Sequence, residues 1–289
     1  MAQPVLFALA GAITLTGCSA PVAEPGQGTA SSAVSPASTP PPASAEMTWV
    51  ERAPDDAGSS PLPLVIAIHG LGDAPDRFCR LFDEWKARAR VACPRAFAKY
   101  GKSGWSWFPP GNNGAEQASD IGAAADRLAT AIAALAKARP TAGKPIVVGF
   151  SQGGALSFAM AIRHPAAVRM AVPMGGWVPG ELMPSKGAAA APIVALHGEI
   201  DDRVPFGPTR DVVAALVAGG TDARLTSFPG VGHAIPPEVK RALYSAIEHV
   251  LDADSRQSED HTPGAAANAS PSVSPGAAPS AAPSSGDQP

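Results

Sequence analysis

Gly149-Phe150-Ser151-Gln152-Gly153 sets a serine between two glycines, a spacing suited to a nucleophile at the tip of a sharp strand-to-helix turn. Such a turn holds the serine in strained dihedrals, and the residues two positions away must lack side chains for the backbones to pass. The five-residue pattern alone is common by chance, and the alternative is a loop serine between turn glycines. Context gives it weight, because Ile146-Val147-Val148 reads as a strand ending just before it and a helix-like run begins just after. Serine is a weak nucleophile at its own pKa. Acyl transfer through Ser151 therefore needs a histidine to accept its proton and a carboxylate to orient that histidine.

Where the nucleophile sits on such a turn, the chain order is serine, carboxylate, histidine. The histidines after Ser151 are His164, His197, His233, His249 and His261. His261 falls in a low-complexity tail, His249 inside a helix and His164 before a proline at a helix end. His197 ends a strand but precedes the candidate acids. His233, in Pro229-Gly230-Val231-Gly232-His233, lies on a glycine-rich loop after the last strand and is the best base. His197-Gly198-Glu199-Ile200-Asp201-Asp202 offers Glu199, Asp201 and Asp202 as the orienting acid, and spacing does not choose among them. Each has the alternative of a surface carboxylate or a helix cap. The helix behind Ser151 aims N–H groups at a developing oxyanion, and the other donor is expected from Ile68-His69-Gly70-Leu71-Gly72-Asp73. His69 precedes Ser151 and reads as a buttress of that loop.

These residues need a scaffold that brings several loops to one edge. Leu64–Ile68 is a continuous apolar pentamer of the kind buried on both faces of a parallel sheet. Ile146–Val148, Arg169–Met174, Pro192–Leu196 and Ala223–Phe228 follow, with Val91–Cys93 a weaker candidate. Helices are expected at 75–89, 116–138, 153–163, 208–218 and 237–252. In the second, Ile121, Ala125, Leu128, Ile132 and Leu135 share one face, and Pro140 stops it. Strands alternating with helices predict a single α/β domain, a mostly parallel central sheet covered on both faces.

The 289 residues carry a net charge of −3 and only 16% charged side chains, with no basic stripe, so nucleic acid is an unsuitable partner. Val5 to Thr16 is an apolar run too short to span a bilayer and suited to an export signal. Met1-Ala2-Gln3-Pro4 lacks the usual Lys or Arg of a signal, which points to a start codon further upstream. Leu15-Thr16-Gly17-Cys18 resembles a bacterial lipobox, with Cys18 as the lipidated residue; the alternative is an ordinary small residue near a cleavage site. The expected organisation is a signal segment at 1–18, a disordered Pro/Ala/Ser tether at 19–45, the catalytic domain at 46–254 and a disordered tail at 255–289. The expected location is the bacterial cell envelope, with the membrane reached through the anchor. Cys79 and Cys93 are left, either as a disulfide or as two buried thiols.

His69-Gly70-Leu71-Gly72-Asp73, Gly149–Gly154, His197-Gly198-Glu199-Ile200-Asp201 through Val204-Pro205, and Gly230-Val231-Gly232-His233 together resemble the phospholipase/carboxylesterase family of α/β-hydrolases, which includes the acyl-protein thioesterases. The resemblance implies that Asp201 is the acid and that the amides of Leu71 and Gln152 are the oxyanion donors. It implies a metal-free, cofactor-free hydrolysis of carboxylic esters, with thioesters, feruloyl esters and short polyesters within reach. Two segments depart from the family pattern. Gly111-Asn112-Asn113-Gly114 follows Trp105–Pro110, and Met174-Gly175-Gly176-Trp177 replaces the usual Ser-Gly-Tyr type of segment. Trp107 and Trp177 are expected either to line the acyl pocket or to pack as core or lid. The reading from another class is a surface-tethered binding lipoprotein that kept the scaffold without the catalysis; a peptidase lacks any gating domain here.

Overall fold

The computed structural model describes residues 47–54, 61–85 and 87–260, with side chains to residue 253, all within one compact unit, Glu46–Pro289. Cys18, the tether and residues 261–289 lie outside the described residues. Nine strands and five helices follow in the order β1 (Trp49–Arg52), β2 (Leu64–Ile68), α1 (Pro75–Cys79), β3 (Arg90–Pro94), β4 (Ala98–Tyr100), β5 (Gly104–Ser106), α2 (Gly114–Ala138), β6 (Ile146–Phe150), α3 (Gln152–Arg163), β7 (Met170–Met174), β8 (Ile193–Gly198), α4 (Phe206–Ala218), β9 (Ala223–Phe228) and α5 (Pro237–Asp260) among the described residues. Seven strands make one sheet in the order β1-β3-β2-β6-β7-β8-β9, parallel except for β1 against β3.

That order reverses direction at β2. The chain steps from β2 outward to β3, then crosses back to lay β6 on the other side of β2 and continues to β9. A doubly wound sheet opens a crevice at such a switch point, outside the C-terminal strand ends. The loops leaving β2 and β6 are those that carry His69 to Asp73 and Ser151.

Period-2 alternation divides the core between the two faces. Leu64, Ile66, Ile68, Val147, Ala171 and Ile193 point toward α2, α3 and α4, while Val65, Ala67, Val148, Val172 and Val194 point toward α1 and α5. The apolar stripe expected on α2 is buried as Ile121, Ala125, Leu128, Ile132 and Leu135.

The structure differs from expectation in three places. The helix expected at 75–89 is a five-residue α1 that tightens into a 3₁₀ turn at Arg80–Trp85. Cys79, Phe82 and Trp85 are all buried, and their spacing of three puts them on one face of a three-residue-per-turn helix. Cys79 is bonded to Cys93 of β3, so the two cysteines form the disulfide, with Cα atoms 5.8 Å apart. α5 continues to Asp260, past the expected 252. Strand β1 and the β4–β5 hairpin were not expected; both are short, and β4 is exposed along its length.

Candidate active site

β6 delivers the chain to Ser151, and α3 starts at the next residue. Ser151 has φ 58° and ψ −117°, and among the described residues it is the one non-glycine with positive φ. A residue so placed costs about 1–3 kcal/mol and persists only when its surroundings fix it. Here the Ser151 N–H donates to the Met174 carbonyl of β7 at 2.9 Å, and the Ser151 carbonyl accepts from Ala155 N–H at 3.0 Å. The glycines are required by contact. A Cβ on Gly153 would run into the Ile68 carbonyl of β2, one on Gly149 into the Gly153 carbonyl, and one on Gly154 would stand 2.6 Å from the Met174 oxygen.

β8 and β9 end side by side, and their loops are laced together. Glu199 N–H donates to the Phe228 carbonyl and Ile200 N–H to the Val231 carbonyl, each at 3.1 Å. Asp201 then turns its carboxylate inward, its side chain 1% exposed. Asp201 Oδ1 accepts the N–H groups of Arg203 and Val204 at 2.9 and 2.8 Å, the Asx-turn geometry natural to aspartate. Oδ2 lies 2.7 Å from His233 Nδ1. The two other acids that spacing allowed are elsewhere: Glu199 accepts the Ser227 hydroxyl at 2.7 Å, and Asp202 is exposed.

His233 is held beside the elbow by a ring contact. Its imidazole packs on the Phe150 ring with centroids 4.6 Å apart, next to Ser151 in the chain. Gly175, at φ 50°, makes the room: a Cβ there would lie 3.1 Å from Phe150, 3.4 Å from Asp201 Oδ2 and 3.5 Å from His233. The structure thus joins Asp201 to His233 and brings both to the elbow. The Ser151 hydroxyl itself makes no hydrogen bond among the described contacts; such links are often long in enzymes without substrate and tighten on binding.

On the opposite side, the loop after β2 lies against the elbow, where a Cβ on Gly70 would sit 3.2 Å from Ser151 Cβ. Gly72, Asp73 and Ser151 each spend their N–H on a main-chain carbonyl, whereas Leu71 and Gln152 donate to none of the described loop and turn carbonyls. Gln152 is the first residue of α3, where helix N–H groups have no partner within the helix. The hairpin braces this loop through Gly72 N–H to the Trp105 carbonyl at 2.9 Å and Trp105 N–H to the Asp73 carbonyl at 3.0 Å. His69 is wholly buried as the expected buttress: Nδ1 lies 2.7 Å from the Gly70 carbonyl, Nε2 accepts from Ala96 N–H at 3.4 Å, and burial pushes its pKa down.

Trp107 takes the core alternative rather than a pocket wall. It is 3% exposed, and its indole N–H donates to the His69 carbonyl at 2.8 Å, which packs it against the loop after β2. A buried indole needs such an acceptor, and the loop offers one. Trp177 is half-buried, two residues beyond Gly175. Sequence reasoning missed the Gln152 side chain, which accepts from Trp107 N–H at 3.0 Å and donates to the Phe108 carbonyl at 3.0 Å, tying the elbow to the Trp105–Phe108 segment. A cleft of about 190 Å³ between the starts of β7, β8 and β9 and the middle of α5 contains none of these groups.

The strained Ser151, the Asp201–His233 pair and two undirected amides at one sheet edge are the arrangement for acyl transfer. Residues 56–251, more than half of the chain, match the family described as phospholipase/carboxylesterase. The chain belongs to that family. A protein of Oryza sativa subsp. japonica named as a probable carboxylesterase is 32% identical over 115 residues, 38% of this chain and 43% of its own. Carboxylesterase SOBER1 of Arabidopsis thaliana is 29% identical over 114 residues, 38% of this chain and 50% of its own. The chain therefore spans half or less of the length of these curated relatives. Among solved structures, esterase PE8 superposes with a TM-score of 0.62 at 22% identity, covering 71% of this chain and all of its own, a likeness of α/β-hydrolase fold. The family match takes in all four motifs, from His69–Asp73 to His233.

Proposed function

We propose that this member of the phospholipase/carboxylesterase family is a serine carboxylesterase. Ser151 attacks the acyl carbonyl while His233 takes its proton, and Asp201 holds the imidazole through Nδ1 and stabilises the imidazolium. The amides of Leu71 and Gln152 receive the oxyanion. His233 then protonates the leaving alcohol. Water, deprotonated by the same histidine, attacks the acyl-enzyme and frees the acid and Ser151. Trp177 borders the site as the pocket residue of this reading. The observation that carries it is the φ of 58° at Ser151, a strain that a plain loop serine has no reason to hold. Turnover of p-nitrophenyl acetate is expected to vanish in Ser151→Ala; a variant that keeps wild-type turnover sinks the mechanism.

Export and attachment to a membrane through a lipid on Cys18 belong to the same proposal. They are supported by the apolar run Val5 to Thr16 and the lipobox-like Leu15–Cys18. The Cys79–Cys93 disulfide agrees with an oxidising compartment. Palmitate incorporation in a bacterial host should be lost in Cys18→Ser, and unlabelled wild type would remove the anchor from the proposal.

A further inference from the structure

His197, in β8, lies four residues before Asp201 and has no role in the mechanism above. Its side chain is fully buried, with Nε2 2.8 Å from the Val204 carbonyl and 3.5 Å from Asp201 Oδ2. A carbonyl only accepts, so Nε2 carries the hydrogen and donates it. Nδ1 is then an unprotonated nitrogen, buried and without a partner. An apolar ring would escape the desolvation of that nitrogen. An imidazole at this place is therefore explained by what Nε2–H does.

The geometry points to His197 as a positioning residue, one that fixes the Val204 carbonyl and through it the direction of the Asp201 carboxylate. The inference rests on the triad reading above. Val204 is gripped at both ends: its carbonyl accepts from His197, and its N–H donates to Asp201 Oδ1 at 2.8 Å. With Oδ1 held by Val204 and Arg203, Oδ2 is the oxygen left to face His233. The Phe206 ring packs edge-on against His197, centroids 5.9 Å apart. The titratable groups facing His197 are Asp201 and His233. Burial pushes the His197 pKa down, so it stays neutral and does not compete with His233 for the carboxylate's charge.

The test compares the full-length chain with His197→Phe, which keeps a ring and removes both nitrogens, and with His197→Gln, whose amide reaches about as far as Nε2. On p-nitrophenyl acetate, His197→Phe is expected to lower kcat about 100-fold, the cost of a misplaced catalytic group, with KM nearly unchanged. The acid limb of kcat/KM against pH should move to lower pH, because a carboxylate turned aside stabilises the His233 imidazolium less. His197→Gln should recover most of kcat. A folded His197→Phe with wild-type kcat and acid limb overturns the inference. Should His197→Phe fail to fold, His197→Gln and His197→Asn replace it: equal kcat in the two overturns the inference, since the shorter amide does not reach Val204. Ser151→Ala is assayed alongside. Turnover in that variant sinks the triad reading itself, whereas an inert Ser151→Ala beside an indifferent His197→Phe sinks the role of His197 alone.

Discussion

Ser151 bears a φ of 58°, and Asp201 spends one carboxylate oxygen on backbone amides and the other on His233. In the proposed reaction the two facts are one division of labour, in which strain presents the nucleophile and hydrogen bonds fix the base. Asp201→Asn preserves the Asx turn, because Asn Oδ1 still accepts the Arg203 and Val204 amides, but presents His233 Nδ1 with a donor and so favours the wrong tautomer. Steady-state ester hydrolysis should fall by roughly three to four orders of magnitude, as for the equivalent change in other serine hydrolases, with little change in melting temperature. A variant within ten-fold of wild type would remove Asp201 from the proposed triad. Residue types and spacing singled out Ser151 and His233, because few side chains suit the roles proposed for them. They left Glu199, Asp201 and Asp202 undivided, since only the lacing of the β8 and β9 loops decides which carboxylate turns inward. Trp107 stayed between two readings for a related reason: an aromatic near a site reads alike whether its indole faces substrate or, as here, the His69 carbonyl.

Among the elements, the six parallel strands and the helices α2 to α5 were visible because a run buried on both faces, or a stripe at helical period, is a strong signal. Strand β1 was not, because Trp49-Val50-Glu51-Arg52 is four residues long, half-buried and mixed with charge. The hairpin Ala98–Ser106 draws its order from elsewhere: two bonds to the Gly72–Asp73 loop, and Arg95 and Lys99 over the Trp105 ring. The elbow's demand for glycine is a packing rule between elements. Gly153→Ala should destabilise by more than about 1–3 kcal/mol, since the methyl group collides with the β2 backbone and not with a side chain that can turn away. Gly207, in the first turn of α4 with nothing within 4 Å of a Cβ, is the control, and alanine there should be tolerated, with a gain of at most about 1 kcal/mol. Thermal melts showing equal effects at the two positions would contradict the packing account.

At the scale of the molecule, the sheet's reversal at β2 brings the His69–Asp73 loop and the Ser151 elbow to one edge, while β8 and β9 carry Asp201 and His233 to the same edge. Two histidines, His69 and His197, are buried there with pKa values pushed below the usual 6.5 by burial. In the unfolded chain both titrate near 6.5, so below that pH the unfolded state binds more protons and the fold loses stability until the lowered values are reached. The loss should approach at most about 1.4 kcal/mol per pH unit for each histidine. Urea unfolding between pH 7.5 and 5 should show the decline, and His197→Gln, which cannot titrate, should flatten part of it. The central claim is that Ser151 is the reactive nucleophile. It is tested most directly by treating the full chain with a fluorophosphonate and mapping the adduct by peptide mass spectrometry. One adduct, on the peptide containing Ser151 and absent from Ser151→Ala, is the expected result. Folded protein that stays unlabelled, or is labelled at another residue, contradicts the account.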